Sequence, residues 1–407
     1  MLTALESGVK GEKWFSLIDK VYALANLRSS FARVKANHGA AGADHQTVEM
    51  YEAHLEENLQ GLGEQLKSGW YQPRHIRRVL IPKPGKSELR PLGIPTVRDR
   101  VVQGALRAVL EPIFEREFAE HSYGFRPGRG CKDALRRVAA LLQDGQHWVV
   151  DADLKGYFDS IPHDRLMARV EEKVSDGRVL ALLRAFLEQS VLEEMKEWTP
   201  QEGTPQGAVI SPLLSNIYLD PLDHRMAEAG FAMVRYADDF VVLCASAAEA
   251  EAALCLVREW CARAGLTLHP DKTRLVDALE RGGFDFLGYH FERGKHWPSK
   301  KSYQKIKDVI RRKTQRNNGH SLACIIADLN RTSCGWYEYF KHSLKYTFPG
   351  MDGYIRNRLR SILRRRSKRR GRARWTDQRR WSNNFFAEHG LFSMAAAHES
   401  ACQSLAR

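Results

Sequence analysis

Two aspartates stand side by side at Asp238 and Asp239, inside the stretch VRYADDFVVL, between two apolar runs of strand length. The flanking runs favour strand and burial, so the pair falls at the tip of a tight hairpin, where like charges repel. A second acidic pair, Asp151 and Asp153 in VVDADL, shares one face of a strand because the side-chain period of a strand is two. If these strands are neighbours, Asp153 comes beside Asp238 and Asp239, and three converging carboxylates call for divalent cations. Mg²⁺ takes oxygen ligands and keeps positions open for phosphate oxygens. Two such ions about 3.5–4 Å apart clamp the attacking and leaving oxygens of an in-line phosphoryl displacement. A lone Asp-Asp pair is more often a plain polar turn, so the weight rests on what surrounds it.

The elements needed to bring these residues together are legible. The first seventy residues are mostly helix-like, broken by ANHGAAGADHQT, a small-residue loop in which Asp44 is a plausible cap. RHIRRVLIPKPGKSELRPLGIP reads as strand, basic turn and strand, followed by a helix from about Val101 to Glu120. HWVVDADLKGYFDSIPHDRL reads as a buried strand turning into a short helix. Helical pieces near Arg165 to Lys173 and Val179 to Ser190 precede EGTPQGAVISPLLSNIYLDPLDHRM, a Gly-Pro loop that opens a long apolar helix. After the Asp-Asp hairpin come a helix from Ala247 to Ala264 and the strand-like LTLHPDKTRLV and FDFLGYHF. The order β-α-β-β-α-β is that of a split, ferredoxin-like sheet. Beyond Pro298 the chain turns helical and basic, with interleaved aromatics, so a domain boundary is expected at residues 292 to 300.

The 407 residues suffice for two or three domains, and the apolar fraction of 43% is that of an ordinary globular protein. A formal charge of +14 points to a polyanionic partner. Between Ile355 and Arg380 thirteen Lys or Arg face one acid, Asp377, which concentrates nearly all of the excess in one segment. The seven cysteines form no CxxC pair and no Cys/His spacing suited to zinc or to a disulfide framework. The N-terminus lacks the apolar core of a signal peptide, and no run approaches the roughly 20 apolar residues of a membrane span. These features predict a reducing, cytoplasmic protein with no membrane partner.

Several blocks together resemble one family. YADD, DADLKGYFDSI and GTPQGAVISPLLSNIYLDPLD are similar to the catalytic blocks of reverse transcriptases. LRPLGIPTVRDRVVQ, SYGFRPGRGCKDAL and FDFLGYHF narrow the likeness to bacterial group II intron reverse transcriptase/maturases, and GWYEYF, DGYIRNRLRSILRR and RWSNNFFAEHGLFSM are similar to that family's thumb, or maturase, region and C-terminal end. The likeness runs from about Val21 to Glu399. It implies an α+β, right-hand polymerase with fingers, a ferredoxin-like palm and a helical thumb/maturase domain. The expected divisions are an N-terminal extension and first fingers helices at 1–70, fingers at 71–145, palm at 146–291, thumb/maturase at 292–370 and a basic DNA-binding-like segment at 371–407.

The resemblance also assigns roles. It makes Asp153, Asp238 and Asp239 the catalytic metal ligands, choosing Asp153 over Asp151 because Phe158 stands five residues beyond it, and it adds the backbone oxygen of Leu154 to the metal set. Two Mg²⁺ ions are implied, with Mn²⁺ as a substitute. In the PKPGKSELR turn, Lys83, Lys86 and Arg90 suit a triphosphate, and the family likeness favours Lys83 and Arg90. Phe158 is expected beneath the nucleotide sugar, excluding a 2′-hydroxyl, with a core aromatic as its plainer reading. Gln206 is expected at the start of the helix after GTP, among free N–H groups. Lys272 resembles the family's proton donor to pyrophosphate. Asp159 and Asp164 read better as turn and cap residues. The basic run supplies Arg364, Arg365, Arg366, Lys368, Arg369 and Arg370 as nucleic-acid contacts, while the recurrence of Tyr354, Ile355, Leu359, Ile362 and Leu363 at helix spacing requires its first part to pack. Trp336 is expected in a core.

The implied activity is copying RNA into cDNA from an RNA template, a primer and deoxynucleoside triphosphates, with binding of the chain's own group II intron RNA and of target DNA for splicing and mobility. The alternatives are a maturase-only splicing cofactor with an idle site, or a related reverse transcriptase serving defence, CRISPR adaptation or repair. Without paired Cys and His beyond the basic run, the chain resembles the short, endonuclease-lacking forms.

Overall fold

The computed structural model describes residues 13–82, 89–193, 196–369 and 375–405. The chain divides into two compact units between Val276 and Asp277.

In the first unit, helices Ile18–Tyr22 and Leu24–Ala36 pack with the long helix Val97–Glu115, and Leu55–Ser68 packs on those two. Leu27, Phe31, Leu59, Leu62, Val102 and Leu106 are buried in their shared core. Thr47, not Asp44, caps the following helix by accepting from Met50 N at 3.2 Å. Asp44 lies one turn earlier and takes the Gln46 N–H and the Arg74 guanidinium.

The strands of this unit are, in chain order, β1 (Ile76–Pro82), β2 (Leu89–Ile94), β3 (Trp148–Asp153), β4 (Val191–Glu193), β5 (Lys196–Trp198), β6 (Ala232–Tyr236), β7 (Asp239–Cys244) and β8 (Arg274–Asp277). They form two sheets. The first has the order β2-β1-β4-β5: β1 and β2 make the expected hairpin, in register from Arg77↔Ile94 to Pro82↔Leu89, and a short hairpin absent from the sequence reading adds to its edge. Strands of three residues carry too little periodicity to be read.

The second sheet has the order β6-β7-β3-β8, the ferredoxin-like arrangement. Its central strands bear apolar residues on both faces, and Val150, Ala152, Phe240, Val242 and Cys244 join the main core. Helix Ala247–Ala264 crosses back to β8; Ser246 caps it by accepting from Glu249 N, and Gly265, at φ +72, closes it in the left-handed conformation glycine favours.

The second unit opens with β9 (Phe284–Phe286), β10 (Tyr289–Glu292) and β11 (Lys295–Pro298). The division thus precedes the expected 292–300. The reason is pairing: β10 is hydrogen-bonded to β9 on one edge and β11 on the other, so FDFLGYHF builds its own sheet rather than extending the ferredoxin-like one. Helices Lys300–Lys313, Leu322–Phe340, Thr347–Arg366, Trp375–Arg380, Asn383–Glu388 and Met394–Leu405 follow, around a core that includes Ile310, Leu329, Phe348, Ile355, Leu359 and Phe386. Trp336 packs on it against Phe340, with ring centroids 4.9 Å apart. Among the described residues no helix is long and apolar enough to cross a membrane, and all seven cysteines are free thiols.

Candidate active site

The ladder places Asp153, the last residue of β3, directly opposite Asp239, the first of β7. Cross-strand partners share a face, so the two carboxylates project to the same side of the sheet. Tyr236 pairs with Asp239, which leaves Ala237 and Asp238 as a two-residue hairpin loop. Ala237 has φ +58, and Asp238 does not share the positive φ. Such a backbone at the first loop position is costly for a residue with a Cβ and persists only when its surroundings enforce it.

Those surroundings are a buried polar network. Arg235 is fully buried; its Nε donates to Asp223 Oδ1 at 2.8 Å and Oδ2 at 2.9 Å, and its Nη2 also reaches Asp223. Its Nη1 donates to Asn216 Oδ1 at 3.0 Å and to the Ala237 carbonyl at 2.9 Å. Asn216 Nδ2 in turn donates to Gly124 O at 2.8 Å. Gly124 must be glycine, because a Cβ there would lie 2.2 Å from Ala237 N. One guanidinium therefore ties the loop to helix Ser211–Glu228. Sequence reasoning passed over Arg235. The signal was an arginine inside an apolar strand, which needs a buried acid to pair with.

Burial pushes the Asp238 carboxyl up, and the charge of Asp153 adds to the push, while Arg90 and Arg235 pull it back. Asp153 is held from the other side: its carbonyl accepts from His269 N at 2.7 Å, and the Lys272 ammonium pairs with its Oδ2. Arg274 pairs with Asp151 at 3.0 Å. Leu154 is buried and bridges Leu268. Among the described residues no three His, Cys, Asp or Glu side chains close into a metal cage. The three aspartates instead form an open platform, with Asp153 and Asp239 in register and Asp238 at the tip within reach of the charge on Asp153. Hard carboxylate oxygens that push against one another suit a hard divalent cation, and Mg²⁺ is commonly held by one or two carboxylates plus substrate phosphates rather than by an all-protein cage.

A cavity of about 240 Å³ is lined by Phe158 and Asp159, from the turn that follows β3, and by Gln206, Gly203, Arg78 and Pro91, among others. Phe158 is half-buried in the turn Tyr157–Asp159, with its ring edge-on to Tyr157 at 5.4 Å. The GTPQG loop is pinned to this turn by Thr204 N donating to Phe158 O at 2.6 Å. Gln206 does not open a helix: the helix begins at Ser211, so the helix N–H groups are not its neighbours. What orients it is a chain of side chains. Arg90 Nε donates to Gln206 Oε1 at 2.9 Å, and Gln206 Nε2 donates to Asp159 Oδ2 at 3.2 Å. Asp159 is thus more than a turn residue; burial pushes its carboxyl up, against the pull of Gln206, Arg78 and Arg90. Asp164 is exposed and pairs with Arg184. Lys83 and Lys86 lie outside the described residues.

The basic segment divides. Arg364 turns inward and pairs with the buried Asp377 at 2.9 Å. Arg365, Arg366, Lys368 and Arg369 are exposed, and Arg366 donates to the Asn318 and His320 carbonyls. Arg370 lies outside the described residues. Trp381 is buried, whereas Trp375 is 66% exposed under the Arg379 guanidinium.

Comparison with known proteins decides the family. The model described as reverse transcriptase (RNA-dependent DNA polymerase) matches residues 81–291, and that described as group II intron, maturase-specific domain matches residues 303–381. The chain belongs to the group II intron reverse transcriptase/maturase family. It is 35% identical over 328 residues to protein YkfC of Escherichia coli (strain K12), covering 70% of this chain and 84% of YkfC. It is 41% identical over 168 residues to the group II intron-encoded protein LtrA of Lactococcus lactis subsp. cremoris, covering 41% of this chain and 28% of LtrA, little more than a quarter of that protein. A chain of a solved partial Cas6-RT-Cas1–Cas2 complex aligns with a TM-score of 0.40 at 25% identity, over 61% of this chain and 42% of that one. As a member of this family the protein is an RNA-directed DNA polymerase that acts on nucleic acid and uses divalent metal ions. The reverse transcriptase match covers most of the first unit and runs on into the second as far as residue 291, whereas the maturase-specific match lies wholly in the second. The three aspartates lie in the former, and the buried Arg364 and exposed Arg365 and Arg366 in the latter.

Proposed function

We propose that this reverse transcriptase/maturase extends a primer on an RNA template with deoxynucleoside triphosphates at the Asp153, Asp238 and Asp239 platform, and that its second unit binds the group II intron RNA encoding it, assisting splicing and mobility. The observation that carries the reading is the in-register pairing of Asp153 with Asp239 below a two-residue loop that presents Asp238. Two Mg²⁺ ions, for which Mn²⁺ can substitute, would be held by Asp153, Asp238, Asp239 and the Leu154 carbonyl, and would supply the positive charge that activates the 3′-hydroxyl and stabilises the leaving pyrophosphate.

The remaining steps belong to the chain. Arg90, held by Gln206, binds the triphosphate with its remaining N–H groups, and Lys83 in the adjoining turn adds a second cation. Phe158 meets the sugar, where a ring leaves no room for a 2′-hydroxyl. Asp159 keeps the Gln206 amide oriented while the nucleotide enters. Lys272, now paired with Asp153, holds the proton that the departing pyrophosphate takes. In the second unit, Arg365, Arg366, Lys368, Arg369 and Arg370 contact nucleic-acid phosphates, a sequence-independent attraction that suits folded intron RNA and target DNA alike.

Primer extension on an RNA template tests the reading. The parent is expected to make cDNA with Mg²⁺ and deoxynucleotides, and Asp238→Asn to lose at least ~100-fold, the usual cost of deleting an essential electrostatic group. Equal extension by parent and variant would overturn it.

A further inference from the structure

Within Ser122–Arg126 four residues are buried and one is exposed: Phe125, at 47%. Phe125 also has φ +59, in the left-handed region. On backbone grounds that position suits glycine or asparagine, and on exposure grounds it suits a polar side chain. Phenylalanine is the wrong residue on both counts if stability were the only demand. An outlier of this kind is a pointer to function.

The segment is nevertheless fixed on both sides of the ring. Ser122 forms a parallel bridge to Arg235, and Tyr123 N donates to Arg235 O at 2.8 Å, so the segment runs along the free edge of β6. Gly124 presses on the catalytic loop at Ala237. On the far side Arg126 is buried and donates to Glu115 and to the Ala119 and Ser122 carbonyls. The Phe125 ring leans on Tyr236, the residue before the catalytic loop, with centroids 6.2 Å apart and planes tilted by 44°. A rigid frame thus holds one exposed aromatic side chain against the catalytic hairpin.

Its place in the sheet indicates what it meets. The order β6-β7-β3 puts Tyr236 on one side of Asp239, and Asp153 on the other. Phe158 and Asp159, from the turn after β3, line the cavity with Gln206, whereas the Phe125 segment runs along β6. If the nucleotide enters on the β3 side and the reacting 3′ end lies over the aspartates, the pair already formed behind it extends toward Tyr236 and Phe125. Resting on the copying reaction proposed above, we infer that Phe125, braced by Tyr236, contacts the base-paired end of the primer–template duplex, its ring lying against the sugars of the pair behind the reacting 3′ end.

The test is fluorescence anisotropy of the full chain with a labelled DNA primer annealed to RNA, without nucleotides. Phe125→Asn, which suits the left-handed backbone and the exposure, should keep the thermal midpoint and weaken duplex binding on the order of tenfold, as expected for an aromatic contact to nucleic acid. Phe125→Tyr, which keeps the ring, should bind as the parent does, and affinity for the single-stranded RNA should be unchanged in both variants. Undiminished duplex binding by Phe125→Asn, or an equal loss for duplex and single strand, would overturn the inference. The readout needs no catalysis. A parent chain that fails to extend primers while Phe125→Asn loses duplex affinity would sink the copying reading and leave the duplex contact standing.

Discussion

Two buried ion pairs, one in each unit, lie beneath surfaces of opposite sign. In the first unit Arg235 and Asp223 are buried beneath a loop that presents acids. In the second, Arg364 and Asp377 are buried beneath a helix end that presents bases. The palm needs its charges at one defined place, so every guanidinium nitrogen of its arginine is hydrogen-bonded, and one of them grips the Ala237 carbonyl of the loop itself. The basic end needs only density of charge, and its members Arg365, Lys368 and Arg369, next to Arg364 in the chain, are exposed. A buried pair stabilises little by itself, but removing one partner strands the other's charge. The comparison teaches that the residue fixing a functional charge can carry the opposite charge and lie out of sight.

Breaking the palm pair is the harsher test. Arg235→Met leaves Asp223 buried without its partner and should destabilise the first unit by about 3–5 kcal/mol, read by urea unfolding of the full chain. A loss below 1 kcal/mol would mean that the pair does not hold the loop. Arg364→Met should cost less, about 3 kcal/mol, because its side chain retains 9% exposure. The second unit offers the sharper contrast: Arg365→Ala with Arg369→Ala should leave stability within about 0.5 kcal/mol and flatten the salt dependence of RNA binding by about one phosphate contact per residue. If Arg364→Met flattens the slope as steeply while stability holds, the inward and outward arginines have been confused.

This contrast marks where the sequence was legible. The helix Ala247–Ala264 and the Asp-Asp hairpin stand where periodicity and turn chemistry put them. The pairing of β3 with β7 followed from a topology that short connections and alternating elements make recognisable. An arginine run has no internal mark of which member points inward; Asp377, thirteen residues on, turns Arg364 inward. The helix expected at Gln206 starts five residues later, at Ser211, because a Gly-Pro loop blurs the boundary. Asp159 looked like a turn residue until Gln206 arrived from a distant part of the chain. Contacts of this range depend on tertiary packing, which local pattern does not encode.

The central claim is that Asp153 and Asp238 share divalent ions with the substrate. The most direct measurement is anomalous scattering from Mn²⁺ in crystals of the full chain with an RNA template, a chain-terminated primer and a deoxynucleoside triphosphate. Two peaks about 3.5–4 Å apart, each touching Asp153 or Asp238 and a phosphate oxygen, are expected. Ordered nucleotide with manganese bound elsewhere, and none at these two carboxylates, would contradict the account.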